Sequence, residues 1–386
     1  MHKKKKKLLV FCGYYPPHMG GMESHAAEFN KMLSRKNYDI TVFTSEIPKF
    51  NGKEDGDCEV IRFPAFEIIS GYPLPKFWQI AFWSKFGTIW KKDWDLVVSR
   101  VRFFFTSFLA MFLAKKKGIF WIHVEHTPNI SIAIKSNSFM GRVKGLMAQV
   151  YDLLIGRTIL KTSDLNISIS KNVNKFIHSI DHRRSPVISR GIDFKKIDEA
   201  LLGENIKKRH NKEIIITVAA RLIWWKGVQN VIKAIDLLPV EVKKKTILFV
   251  CGDGEATDKL KEISGKNVVF LGSVAREDVF GYLKSSDVYI HSSYPGGGLS
   301  TSLLEAMYCR CFIIATPNEG GSELIDKKNG FLIEKSDAEE IRDAIVYYYK
   351  NMEEAKKRGL AAKKKALNFS WDKNINKFIA EWNGFK

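Results

Sequence analysis

The chain has 386 residues, a formal charge of +20 and a hydrophobic share of 45%. That length favours two domains over one, and the hydrophobic share is ordinary for a protein that buries proper cores. No apolar run reaches the roughly 18 residues of a membrane span. The lysines are spread along the chain with no nucleic-acid-binding motif among them, which ranks nucleic acid last among partners. The Lys/Ile/Asn-rich style is that of an AT-rich genome, which supplies much of the charge without function.

The first strand is expected at Leu8–Cys12. Only this short apolar run follows Lys3–Lys7, so no secretory signal is read there. Further short, nearly all-apolar runs lie at Ile40–Thr44, Leu96–Ser99, Phe120–Val124 and Leu165–Ser168. Strands of that kind are usually buried on both faces of a parallel sheet. Helical stretches separate them, among them Glu23–Leu33 and Val143–Leu160, and Phe103–Ala114 reads as a core helix. The order then restarts with strands at Glu213–Ala219, Thr246–Cys251, Val268–Leu271, Val288–His291 and Phe312–Ala315. Their helices are expected at Lys226–Leu237, Ala256–Ile263, Glu277–Lys284 and Thr301–Cys309. Two successive βα arrays mean two doubly wound α/β domains. The polar segment Asp198–Lys212 is the expected boundary, and Phe369–Trp382 reads as a last amphipathic helix.

In such sheets ligands bind outside the carboxyl ends of the strands. The loop after the first strand carries Gly20 and Gly21 at a helix start. Glu125, His126 and Pro128 follow the fourth strand, and Arg221 and Lys226 follow the first strand of the second array. Tyr294-Pro-Gly-Gly-Gly-Leu-Ser-Thr-Ser-Leu-Leu-Glu-Ala-Met307 is the most informative stretch. Its glycines let backbone approach a ligand, and Ser300, Thr301 and Ser302 are each good helix N-caps. A glycine-rich loop feeding a helix is an anion site, and Glu305, one turn in, can accept hydrogen bonds from hydroxyls. Phosphate at the loop and a sugar-type hydroxyl at the carboxylate suggest a nucleotide-sugar pocket. The five cysteines, Cys12, Cys58, Cys251, Cys309 and Cys311, are odd in number and scattered. They fit a reducing cytoplasm better than a disulfide framework, and Cys309-Arg-Cys311 lacks the second Cys/His pair of a zinc site.

Read in order, Tyr15-Pro-Pro-His-Met-Gly-Gly-Met-Glu23, Ala220-Arg-Leu-Ile-Trp-Trp-Lys-Gly227, Val250-Cys-Gly-Asp-Gly-Glu255, Phe270-Leu-Gly-Ser273, Ser286-Asp-Val288, Leu303-Leu-Glu-Ala-Met307, Ala315-Thr316 and Gly320-Gly-Ser-Glu323 resemble the motifs of one family. It is the retaining, GT-B-fold glycosyltransferases of family 4, and the likeness spans nearly the whole chain. The resemblance implies an α/β GT-B architecture, two Rossmann-like domains facing each other across a cleft. Residues 1–197 would bind the acceptor, with helix 369–386 packing back on them, and residues 198–368 would bind the donor. Arg221 and Lys226 match the cations that hold the donor diphosphate and neutralise the leaving group, an electrostatic role that needs no metal. Gly20 and Gly21 would present amides to the same diphosphate, as would Leu299, Ser300 and Thr301 with amides or hydroxyls. Glu305 matches the ribose-binding carboxylate, and His126 the histidine that contacts the transferred sugar or supports the transition state. His123 reads as a satisfied core histidine.

The implied activity is a cytoplasmic hexosyl- or N-acetylhexosaminyltransferase acting on a glycan or lipid-linked acceptor, with no cofactor, since the nucleoside-diphosphate sugar is a substrate. The family's other carboxylate, eight residues before Glu305, is replaced by Gly297. That motivates a rival reading, a catalytically weak binding subunit; a GT-B nucleotide-sugar epimerase is another. Arg190, where the family has Asn, adds a cation near the cleft. Finally, Pro75–Lys92 interleaves Phe77, Trp78, Phe82, Trp83, Phe86 and Trp90 with Lys76, Lys85, Lys91 and Lys92. That is the composition of a helix lying in an anionic bilayer interface, at the inner face of the cell membrane, or of a helix packing its aromatics on the first sheet.

Overall fold

The computed structural model describes residues 5–18, 21–49, 56–69, 71–128, 139–201, 210–294, 299–317 and 320–385. The chain divides into two compact units, Met1–Arg190 with Asn374–Lys386, and Gly191–Lys373. The first unit begins β1 (Lys6–Phe11), α1 (Gly21–Arg35), β2 (Tyr38–Ser45), β3 (Glu59–Phe63), β4 (Ala65–Ile69), β5 (Tyr72–Pro75) and α2 (Ile80–Lys91). It continues with β6 (Leu96–Arg100), α3 (Phe105–Lys117), β7 (Trp121–Glu125), α4 (Phe139–Tyr151), α5 (Arg157–Thr162), β8 (Leu165–Ser168) and α6 (Lys171–His178). Six of these strands form a parallel sheet in the order β3-β2-β1-β6-β7-β8, while β4 and β5 form an antiparallel pair. The sequence of β1 shows why it is central: Leu8, Leu9, Val10 and Phe11 are all buried, so side chains pointing to either face enter a core. On α1 the buried Ala26, Phe29, Asn30 and Leu33 recur at helical spacing and form the inward stripe.

The stretch expected as one helix over 143–160 is not uniform. Between α4 and α5 it makes a π-helical turn, Asp152–Gly156. A Cβ on Gly156 would lie 2.3 Å from Asp152 Oδ1, so only glycine leaves that carboxylate its place. The aromatics of α2 divide between the alternatives. Phe82, Phe86 and Ile89 are buried against the sheet, with Phe82 edge-on to Phe63 at 5.8 Å, whereas Trp78 and Trp83 stay exposed.

The second unit begins α7 (Phe194–Glu199), β9 (Ile214–Ala219), α8 (Val228–Asp236), α9 (Val240–Lys245), β10 (Thr246–Cys251), α10 (Thr257–Glu262) and β11 (Val268–Gly272). There follow α11 (Arg276–Ser285), β12 (Val288–His291), α12 (Thr301–Tyr308), β13 (Phe312–Ala315), α13 (Gly321–Leu324), β14 (Phe331–Leu332), α14 (Ala338–Lys350), α15 (Met352–Ala366) and α16 (Trp371–Asn383). Its sheet is parallel in the order β11-β10-β9-β12-β13-β14, the same winding as the first. Strand order reverses beside β1 in one unit and beside β9 in the other, which fixes where ligand crevices form.

The crossover lies earlier than the expected boundary at 198. The Ile192 amide donates to the Phe369 carbonyl at 2.8 Å, and Ile192 and Ile197 are buried with Leu283 and Tyr308 in the second unit's core. Tyr308 donates to Asp198 Oδ2 at 2.8 Å, and Lys284 Nζ donates to the Ala200 carbonyl at 2.6 Å. The expected boundary segment, Asp198–Lys212, begins inside α7, whose Ile197 faces the core. The last helix, α16, begins in the second unit and ends in the first. There Phe378 meets Phe29 edge-on at 5.0 Å, and Asn374 Nδ2 donates to the Ser189 carbonyl at 2.8 Å.

The turn after β10 offers a test of this packing. Gly252 has φ 137° and a Cβ there would lie 1.9 Å from the Ala220 carbonyl oxygen, whereas Gly272 has φ 69° with open space around it. Gly272→Ala should cost only backbone strain, about 1–2 kcal/mol. Gly252→Ala should cost clearly more, because a carbonyl must also move. Thermal unfolding of both variants checks the order; equal losses would contradict the close approach.

Candidate functional site

In the second unit the segment after β9 is held from below. The Leu222 amide donates to the Asp253 carbonyl at 2.9 Å, and the Ala256 amide to the Leu222 carbonyl at 3.0 Å. Hydrogen bonds from the Thr257 hydroxyl and the Gly254 amide fix the Asp253 side chain and hold its carboxyl below the usual carboxylate range. Leu222 is buried and anchors the segment, while Arg221 beside it is exposed. A 3-10 turn, Trp224–Lys226, follows and sets the Lys226 ammonium 4.2 Å from the centroid of the Trp225 ring. The Tyr294 amide donates to the Trp225 carbonyl at 2.8 Å, and Ser292 Oγ to the Lys226 carbonyl at 2.9 Å. These bonds tie the cation-bearing segment to the chain leaving β12.

That chain leads into α12. Leu299 is buried and packs on Gly320. Ser300 takes the N-cap position, but its hydroxyl does not cap the helix; it lies 3.1 Å from Ser302 Oγ, which accepts from Tyr289 Oη at 2.8 Å. Thr301 is the first helical residue. The anion-binding geometry expected of Leu299, Ser300 and Thr301 therefore rests on backbone more than on Ser300's side chain. Gly297 and Gly20 lie outside the described residues. Glu305 is 5% exposed and its Oε1 accepts from Arg276 Nε at 3.1 Å and from Arg276 Nη2. The sequence reading missed Arg276. Its place at the start of the helix after β11 marks it as near a strand end, but nothing in the sequence pairs it with Glu305.

In the first unit Gly21 opens α1, and its carbonyl accepts from Arg190 Nη1 at 2.8 Å. His126 follows β7 and is 2% exposed. Burial, reinforced by Arg100 and Arg190, holds its pKa well below the usual imidazole range, so the ring is neutral. The loop carrying it is fixed by a buried network. Glu125 Oε1 accepts from the His126 amide at 2.8 Å, and Glu125 Oε2 pairs with Arg102 Nη1 at 2.9 Å. Arg102 also donates from Nε to Asp152 Oδ1 at 2.7 Å and from Nη1 to the Thr127 carbonyl at 2.8 Å. Burial alone would raise the Glu125 pKa; Arg102 and His123 outweigh it and hold the carboxyl far below its ordinary range. His123 is a buried histidine with both nitrogens engaged, Nδ1 with Ser99 Oγ at 2.8 Å and Nε2 near Glu125 Oε2 at 3.4 Å. Arg102 was invisible to motif reading because its partners lie far along the chain.

Residues 19–196 match the family described as Glycosyltransferase Family 4, and residues 203–365 match Glycosyl transferases group 1. The chain is 40% identical over 390 residues, covering 97% of both chains, to the uncharacterized glycosyltransferase MJ1069 of Methanocaldococcus jannaschii. Among solved structures it is similar to sucrose-phosphate synthase of Thermosynechococcus elongatus, with TM-score 0.76, 17% identity and 99% of each chain covered. It is also similar to HepE of Anabaena in complex with UDP, with TM-score 0.75, 19% identity and coverage of 99% and 100%. At those identities the structural likeness speaks to fold, and the fold is GT-B.

The network under His126 predicts a pH signature. Because the folded Glu125 carboxyl is held below its ordinary value, its stabilisation is complete above about pH 4.3 and lost as pH falls below that. Glu125→Gln should cost about 3–5 kcal/mol at pH 7 by breaking a buried pair. The gap to wild type in thermal unfolding should narrow as pH falls below 4; a gap independent of pH would remove Glu125 from the charged network.

Proposed function

The chain belongs to the family 4 glycosyltransferases, and from that premise we propose that it moves a hexosyl or N-acetylhexosaminyl group from a nucleoside diphosphate to a glycan or lipid-linked acceptor, with retention and without a metal. The observation that carries this reading is the placing of Arg221 and Lys226 after β9, where strand order reverses, on a segment bonded to the chain that enters α12. Breaking the sugar–phosphate bond builds negative charge on the departing oxygen, and fixed cations stabilise it. The start of α12, at Leu299, Ser300 and Thr301, adds backbone dipoles to the same diphosphate. A ribose hydroxyl donates to Glu305, which the hydrogen bonds from Arg276 hold in place. The resemblance further gives Gly20 and Gly21 amides for a diphosphate, and neutral His126 a hydrogen bond for the transferred sugar. The acceptor hydroxyl bonds to the anomeric carbon as the phosphate oxygen leaves, and that oxygen takes the acceptor's proton. HepE, solved with UDP and with UDP-glucose, shows a protein of this fold with such a donor.

Arg221→Ala and Lys226→Ala should each lower kcat/KM by an amount equivalent to about 2–4 kcal/mol. Arg276→Ala should chiefly raise the donor KM, since it loosens a binding carboxylate. These are read from initial rates with a panel of nucleoside-diphosphate sugars, with and without a chelator. A folded Arg221→Ala variant with native turnover, or activity lost to chelator and restored by a divalent ion, would overturn the corresponding role.

A lipid-linked acceptor is favoured by surface chemistry on the first unit. On α2 and just before it Trp78, Ile80 and Trp83 are exposed, at 69%, 86% and 55%. The helical stretch from α4 exposes Leu146, Met147, Val150, Leu153 and Leu154 at helical spacing. Apolar helix faces flanked by lysine suit an anionic bilayer surface. Among the described residues no helix is long and apolar enough to cross a membrane. Liposome sedimentation should show binding to anionic vesicles that weakens with salt, and Trp78→Ser with Trp83→Ser should reduce it. No binding at low salt would point to a soluble acceptor. Phe82 is unsuitable for this test because it is core.

A further inference from the structure

Arg100 is the last residue of β6, the neighbour of β1 at the point where the first sheet reverses its strand order. It is 3% exposed. Its Nη1 lies 3.4 Å from His25 Nδ1, and its guanidinium covers the Phe29 ring at 4.9 Å. Nε and Nη2 have no hydrogen-bond partner, and neither do Nδ1 and Nε2 of His126. The His25 and His126 rings meet edge to face at 5.2 Å, and the Arg190 charge is felt at both. No carboxylate neutralises this group among the described residues. Glu125 is paired with Arg102 at 2.9 Å, and Glu23 Oε1 lies 3.3 Å from His18 Nδ1 while its buried Oε2 has no hydrogen-bond partner and no bond to Arg100.

A buried guanidinium without a counter-charge is costly, and a cluster of one with imidazoles is more so. Such an arrangement is understandable if an anion completes it. We propose that Arg100, with His25 and His126, forms an oxyanion site in the first unit that receives a phosphate or carboxylate group on the acceptor. The site therefore selects an anionic acceptor over a neutral one. The inference rests on the glycosyltransferase reading for the word acceptor, but the anion site itself stands on the cluster alone. His126 has two unpartnered nitrogens, so it can serve the transferred sugar with one and the anion with the other. Burial first, then the neighbouring charges, keeps both imidazoles neutral. An arriving oxyanion accepts hydrogen bonds from Arg100 Nε and Nη2 and favours imidazolium.

The test uses the full-length chain with inorganic phosphate as probe, against chloride at matched ionic strength, and thermal unfolding as the readout. Phosphate should raise the wild-type Tm in a saturable way. Arg100→Met should weaken the phosphate response at least tenfold in apparent Kd, while leaving the Tm without phosphate equal or higher, because a buried charge has gone. The same variant should keep its response to UDP or GDP. Arg221→Ala should do the reverse, keeping the phosphate response at the Arg100 site and losing that to the nucleoside diphosphate. An unchanged phosphate Kd in Arg100→Met, or no phosphate response in wild type, would overturn the site. Equal loss of phosphate and nucleoside diphosphate in Arg100→Met would assign the cluster to the donor and overturn the acceptor reading. If Arg100→Met does not fold, Arg100→Lys decides, since it keeps the charge but not the fork and should still weaken phosphate several-fold. A phosphate response that depends on Arg100 in a protein blind to all nucleoside diphosphates would leave the pocket standing and remove the transferase reading instead.

Discussion

Backbone pairing in two parallel sheets constrains everything else in this molecule. Parallel strands need crossovers on both faces, so central strands such as β1 and β10 become buried apolar runs and the loops at the strand ends are left to carry exposed polar groups. At the carboxyl ends the outward loops beside β1 and β9 separate, because the chain turns to opposite sides there. The residues proposed above for binding and catalysis sit at those ends: Arg100 on β6, His126 after β7, Arg221 and Lys226 after β9, and Ser300 and Thr301 after β12. The sheets do not create the chemistry. They decide which side chains can meet.

Two arginines, two positions apart, show how differently that end can be used. Arg102 is fully neutralised by Glu125 and Asp152 and donates to the carbonyl of Thr127. It is a structural cation that positions the His126 loop, and the π-helical turn with Gly156 exists at the place where Asp152 must reach it. Arg100 is as deeply buried and pairs with no carboxylate among the described residues. Burial of a charge is weak evidence of function when the charge is paired, and stronger evidence when it is not. The same comparison applies in the second unit, where Arg276 holds buried Glu305 while Arg221 remains exposed.

Much of this was legible in the sequence. Strands such as Leu8–Cys12 and Thr246–Cys251 were readable because burial on both faces leaves an uninterrupted apolar run, and the structure shifts their ends by at most a residue or two. The exposed positions of Arg221 and the helix start at Thr301 followed from strand-then-loop order. What escaped was nonlocal. Nothing near Glu305 announces Arg276, and nothing near Glu125 announces Asp152. The sidedness of helices also escaped: Phe82 and Trp83 are chemically alike and adjacent, yet one is core and the other is exposed. The boundary expected at Asp198–Lys212 was drawn from its charged composition, which does not show that the chain just before it, with Ile192 and Ile197, is already core of the second unit.

The departures from the family pattern also make physical sense together. A glycine at 297 removes a negative charge from the stretch before α12, and an arginine at 190 adds a positive one beside Gly21. Each change moves the charge balance of its own unit toward cations. A transferase that binds a diphosphate donor already needs positive potential, and one that also receives an anionic acceptor must accommodate further negative charge near the same reaction. Raising the cationic balance around the ligand-bearing strand ends lowers the repulsion between two anionic substrates, which would otherwise oppose their simultaneous binding. On the proposal made above, Arg100 and Arg190, whose charges are both felt at His25 and His126, are the first unit's share of that balance.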